Sequence, residues 1–136
     1  MRFMVIVKAT PESEAGQLPD AEILSEMGAF NEQLIKAGVM LAADGLHPSS
    51  KGARIKFEGP KRTVTDGPFA ETKELIAGYW LIEVKSKEEA IAWMSRAPFD
   101  GGFEIELRQV FELEDFAPVL SDEEIAHKRR ALSQLA

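Results

Sequence analysis

The sequence predicts an α+β domain in which one antiparallel sheet carries two helices on a single face. Apolar runs of β-branched and aromatic type occur in the order strand, helix, strand, hairpin, strand, helix, strand. Two of those runs, 2–8 and 77–84, are apolar on both faces while the others alternate, which separates central strands from edge strands. A chain of 136 residues, 45% hydrophobic and 29% charged, suits one globular domain of this size.

RFMVIVK, residues 2–8, is the first strand, with Phe3, Val5 and Val7 on one face and Met4 and Ile6 on the other. TPESEAGQLP reads as a polar loop. Ile23, Leu24, Met27, Phe30, Leu34 and Ile35 then fall on one face of a helix, with Asp20 as its N-cap and Gly38 as its stop. MLAADGL, residues 40–46, is a strand and HPSSKG a loop. ARIKFE sets Ala53, Ile55 and Phe57 against Arg54, Lys56 and Glu58, and residues 62–65 run back beyond Gly59-Pro60, giving an antiparallel hairpin.

AGYWLIEV places Trp80, Ile82 and Val84 on one face and Tyr79 and Leu81 on the other. Ser86 and Glu89 form a capping box for a second helix that carries Ile91, Trp93 and Met94 and ends at Pro98. In FEIELRQVF, Phe103, Ile105, Leu107 and Phe111 point inward and Glu104, Glu106 and Arg108 outward. After Pro118, Ser121 and Glu124 open a terminal helix with a thin stripe of Ile125, Leu132 and Leu135. The chain thus divides into a domain at 1–116 and a C-terminal helical extension at 117–136.

This order is the split β-α-β, ferredoxin-like arrangement, here with an added hairpin and with right-handed crossovers. Two helices cover one sheet face only. The other, about four strands at ~4.8 Å spacing, is a few hundred Å² in projection, more apolar surface than a monomer leaves wet. A second copy on a two-fold axis is expected to cover it, so the protein is expected to be a homodimer. The terminal helix either acts as an arm or folds back over its own sheet.

A formal charge of −7 argues against a sequence-independent grip on nucleic acid. Lys51, Arg54, Lys56, Lys61 and Arg62, facing only Glu58, are a local exception. There are no cysteines, hence no disulfides, thiolate metal sites or thiol nucleophile. FMVIV is too short for a signal-peptide core or a membrane span, which leads to the expectation of a cytoplasmic protein with no membrane contact. No P-loop, GxGxxG or nucleophile elbow occurs, and His47 and His127 are too far apart for a metal-ligand pair, so no cofactor or metal is expected.

The stretch TDGPFAETKE, residues 65–74, concentrates the polar chemistry. A turn Asp ordinarily accepts from the N–H two residues on, but here that residue is Pro68, which has none. Asp66 therefore either caps the N–H of Phe69 or Ala70 and organises the loop, or faces a pocket. Gly67 gives the backbone freedom and Phe69 anchors the loop in the core. Glu71 to Glu74 are either a solvated connection or a site where Thr72 and Lys73 offer a hydroxyl and a cation to an anionic ligand. His47, at a strand end, is either an acid–base group or a loop histidine bonded to backbone.

DGPFAETKELIAGYWLIEVKSKEEAIAWMSRAPF, residues 66–99, together with AGVMLAADGLHPSSKGARIKFEGPKRTVT before it, resembles the YCII-related, DGPF-domain family over roughly residues 1–116. The resemblance implies a dimeric ferredoxin-like α+β fold and no settled activity. It also implies a link to extracytoplasmic-function sigma factors, beside which some members occur. Better-studied YCII-type relatives pair a histidine of the first helix with an aspartate in a cleft, whereas residues 20–37 here contain no histidine. Asp66, Gly67, Pro68 and Phe69 carry over residue for residue.

Three functions follow as expectations. One is an accessory or regulatory homodimer binding a small polar or anionic metabolite near Asp66, Phe69, Thr72, Lys73 and Tyr79. Another is an acid–base enzyme of lyase or isomerase type, with Asp66 as base and His47 or Tyr79 as partner. The last is an interaction module that docks a transcription factor through its basic hairpin or terminal helix.

Overall fold

The computed structural model describes residues 1–70 and 74–135. In chain order it contains β1 (Arg2–Lys8), α1 (Pro11–Glu14), α2 (Ala21–Lys36), β2 (Met40–Gly45), β3 (Ala53–Glu58), β4 (Lys61–Asp66), β5 (Ile76–Glu83), α3 (Lys87–Met94), β6 (Ile105–Gln109) and α4 (Asp122–Leu132). Short 3-10 turns occupy Ser49–Lys51 and Leu113–Phe116. The main sheet has the order β2-β5-β1-β6, and every neighbouring pair is antiparallel. The two doubly apolar runs are its central strands, as the pattern predicts, and the topology is that of the ferredoxin-like fold.

One sheet face packs on α2 and α3. Val5, Leu34 and Ile82 are fully buried there, with Phe3, Phe30, Trp80, Val84, Ala90 and Met94 around them. Each of the larger aliphatic and phenylalanine side chains contributes about 1.5–3 kcal/mol by leaving water. The Trp80 ring meets Phe30 and Phe99 edge-on, and Phe103 stacks on Phe99 at 4.7 Å.

Several expectations need correction. On α2 only Phe30 and Leu34 are buried, while Ile23, Leu24 and Ile35 are exposed, because the sheet meets a narrower stripe than the spacing offers. On α3 Ala90 and Met94 point inward and Ile91 outward, and the helix stops at Met94, with Ser95 as C-cap, well before Pro98. Ser86 accepts from the Glu89 N–H, but the Glu89 carboxylate accepts from Lys85 N–H instead of closing the box on Ser86. Phe111 lies beyond β6, exposed against Phe116. The stretch after Thr10 is not all loop. Thr10 caps a single helical turn, α1, through reciprocal bonds with Ser13.

The hairpin forms with its tip at Gly59-Pro60, yet as a separate two-stranded sheet that no other layer among the described residues covers. The terminal helix begins at the Ser121–Glu124 capping box, ends at Leu132 and packs on the Leu113–Phe116 turn through the Arg129–Glu114 ion pair. Leu132 and Leu135 are exposed, so α4 does not bury the second sheet face. That face leaves Met4 36% exposed and Ile6, Tyr79 and Leu81 half-buried. No helix among the described residues is long and apolar enough to cross a membrane.

Candidate functional site

At one end of the sheet the helix-facing side loses its side chains. Gly45 and Gly78 sit directly opposite each other across β2 and β5, next to the small Ala43 opposite Trp80. The first turns of α2 pass above them. The result is a cleft of about 330 Å³ floored by the two glycines and walled by Val7, Pro19, Ile23, Met27, Trp80 and Phe99. Its lining is mostly apolar, the usual character of a small-molecule site. Ile23 is exposed because it forms the lip of this cleft.

The two glycines act differently. A Cβ on Gly78 would stand 3.0 Å from the Asp44 carbonyl oxygen, so the neighbouring strand would have to give by a few tenths of an ångström to admit one. A Cβ on Gly45 would meet nothing within 4 Å, so that position leaves the cleft open.

One side-chain amide joins the wall. Trp80 Nε1–H donates to Asn31 Oδ1 at 2.8 Å. An indole can only donate, so the bond fixes which way the amide faces and leaves Nδ2 with two donors to offer. Trp80 is buried and keeps its polar edge satisfied by this bond.

On the opposite sheet face Tyr79 Oη donates to Asp44 Oδ2 at 2.8 Å, the two residues being direct cross-strand partners. The hydrogen bond, and then the charge of Asp44, raise the Tyr79 pKa above the ordinary phenol value, so the hydroxyl keeps its proton. By strand alternation these two side chains point away from Trp80 and Ala43, although both residues border the cleft.

The DGPF loop is held by residues outside it. Gly67 N–H donates to Gly52 O at 3.0 Å, and Phe69 N–H donates to Ser49 Oγ at 3.0 Å. Ser49 is in turn gripped by Glu14 of α1, its N–H donating to Oε2 at 2.9 Å and its hydroxyl to Oε1. The Phe69 N–H is therefore satisfied by Ser49 and not by Asp66, and the expected Asp66 cap on that group gives way to this clasp. Phe69 is only half-buried, under the Arg54 guanidinium at 3.9 Å from the ring centre, and does not reach the core.

His47 and Phe69 come together with Glu14, Ser49 and Lys51 around a shallower hollow of about 330 Å³. Asp66 is exposed at the end of β4, opposite Ala53, outside the lining of either hollow. Tyr79 lies on the far sheet face. Thr72 and Lys73 lie outside the described residues. The sequence reading passed over Asn31, Gly45, Gly78, Glu14 and Ser49. A Thr-Pro-x-Ser start at residue 10 signalled the helical turn that delivers Glu14, and a polar Asn31 on an apolar helix stripe signalled a buried partner.

An uncharacterized protein of Rhizobium meliloti (strain 1021) is 31% identical over 90 residues, covering 63% of this chain and 73% of the relative. A solved structure, 5-chloro-2-hydroxyhydroquinone dehydrochlorinase from Burkholderia phenoliruptrix AC1100 in complex with 2,5-dihydroxybenzoquinone, is similar to this chain with a TM-score of 0.47. That pair is 16% identical, over 82% of this chain and 95% of the other. The model of the YCII-related domain matches residues 1–114, and the chain belongs to that family.

Proposed function

We propose that the protein is a homodimer that binds a compact, largely apolar metabolite through one hydrogen-bond acceptor, such as a carbonyl or carboxylate, in the cleft between α2 and the β2–β5 end of the sheet. One observation carries the reading: an apolar hollow floored by Gly45 and Gly78, with a single oriented amide, Asn31, in its wall. An apolar lining supplies affinity and the Asn31 donors supply orientation. This reading moves the ligand from the DGPF loop, where a polar or anionic metabolite was expected near Asp66, to the cleft that holds Asn31. The bare second sheet face supports the dimer, because α4 packs elsewhere. A mostly apolar cleft with one oriented amide suits binding in an accessory or regulatory role.

Thermal-shift screening with small ring-bearing carbonyl and carboxylate compounds tests the reading. Asn31→Asp keeps an acceptor for Trp80 while removing the amide donors and adding a repelling charge. Gly45→Val puts a branched side chain on the floor of the hollow, at a position where a Cβ meets nothing within 4 Å. Both variants should fold and lose the ligand-induced shift. A shift that survives both places the ligand elsewhere.

A second reading, acid–base chemistry of lyase or isomerase type, is favoured by the Asp44–Tyr79 bond, which sets a protonated phenol beside a carboxylate. Since Tyr79 is committed to Asp44, the base in this reading is Asp44 in place of Asp66. Tyr79→Phe should then abolish turnover of any ligand that proves to be a substrate, with binding retained. Unchanged turnover rejects it.

A further inference from the structure

The β3–β4 hairpin has no covering layer among the described residues of its own chain, and both strands are exposed along their whole length. Register puts Ile55 opposite Val64 and Phe57 opposite Arg62, so these apolar side chains share one face. They are 57% (Ile55), 67% (Phe57) and 62% (Val64) exposed. The other face carries Arg54, Lys56 and Lys61. A lone two-stranded hairpin is marginal in water, and three large apolar groups on one side give it a surface to bury.

We infer that this hairpin is an arm that grips a second copy of the same chain. The inference rests on the dimer proposed above and adds the element that secures it. Charge is the first reason. Arg54, Lys56, Lys61 and Arg62 outnumber Glu58 and Asp66 on the hairpin, whereas the chain as a whole carries −7, so the arm and the body of another copy attract.

Continuity is the second reason. The hairpin leaves the main sheet a few residues after β2, the edge strand whose Asp44 belongs to the bare face, and it returns directly to the Ser49–Gly52 turn. The arm therefore starts where the sheet-to-sheet contact ends.

Area is the third. Two bare sheet faces of about 350 Å² each in projection, from four strands ~4.8 Å apart and ~17–20 Å long, fall short of the ~1,000 Å² a specific interface needs. The apolar side of each hairpin adds about 190 Å² plus an equal patch on what it touches, which carries the total past that threshold. The sheet faces alone leave a weak dimer, and the arms make it stable.

Sedimentation velocity over about 1–100 µM tests the arm on the full chain. Wild type should sediment as a dimer, and Phe57→Ser should weaken association by about tenfold or more. The far-UV spectrum should stay unchanged, because Phe57 is outside the core. A dimer that Phe57→Ser leaves equally tight overturns the arm alone. A wild-type monomer overturns the arm and the dimer together. Since the chain has no cysteine, Phe57→Cys gives a single thiol for an environment-sensitive fluorophore. Its emission should shift to the blue as concentration drives dimerisation, and an emission indifferent to concentration contradicts a gripping arm.

Discussion

Replacing Gly67 by alanine probes the clasp that holds the DGPF loop. The added Cβ would lie 1.8 Å from the Ser49 carbonyl oxygen and 2.6 Å from its carbon. Gly67 does not have a positive φ, so space and not backbone conformation demands the glycine. Restoring ordinary contact needs a shift of roughly 1.6 Å, which pulls apart the Gly67–Gly52 and Phe69–Ser49 bonds. Two lost hydrogen bonds at about 1 kcal/mol each, plus crowding of about 1–3 kcal/mol, set the upper range. The loop can lift away to relieve the crowding, so the expected loss is about 2 kcal/mol, a sizeable share of a typical 5–15 kcal/mol. Urea denaturation gives that number, and amide exchange at Gly67 and Phe69 shows whether the loop has lifted. Gly28→Ala, mid-helix with nothing within 4 Å of the new Cβ, is the control and should gain about 0.5–1 kcal/mol. A Gly67→Ala protein with unchanged midpoint and unchanged exchange would refute the clasp.

Other outcomes follow from the same contacts. Asn31→Leu strands the Trp80 indole N–H in the core and should cost about 1–3 kcal/mol by urea denaturation, whereas Asn31→Asp should cost much less. The Tyr79 phenol should titrate above about 10 by ultraviolet absorbance, and Asp44→Asn should return it toward that value. Its folded pKa exceeds the unfolded one, so its contribution to stability is complete below about 10 and is lost as pH rises through the higher folded value. Glu114 and Glu124 run the opposite way. The Arg129 side chain lowers the first and bonds from Ser121 lower the second, so the docking of α4 is fully supported above about 4.3 and fades as pH falls through the depressed values, visible as early loss of helix signal in acid. Truncation after Ala117 should leave the unfolding midpoint of the core nearly unchanged, because α4 contains no buried residue.

The strand order was legible because β1 and β5 must be apolar on both faces to sit centrally, and both are. The hairpin was legible because Ala53–Glu58 alternates and Gly59-Pro60 turns. Which helix residues would be buried was less so. Ile23 and Ile91 keep helical spacing but lie off the narrow line of contact, and spacing carries no information on where a partner layer ends. The cleft escaped a reading that searches for side chains, since it arises where Gly45 and Gly78 lack them and their pairing depends on register. Asp66 drew attention because Pro68 denies it a backbone donor. The donor it was expected to cap went to Ser49, twenty residues upstream, a contact that only the folded chain brings about.

A recess made by subtraction has a particular consequence. Its shape belongs to the absence of atoms at Gly45 and not to any bend in the chain, so its depth can be trimmed one methyl group at a time while the scaffold stays put. Gly78, close against the neighbouring strand, has less latitude. Among kindred chains the first of these positions should wander more freely than the second as guests change size.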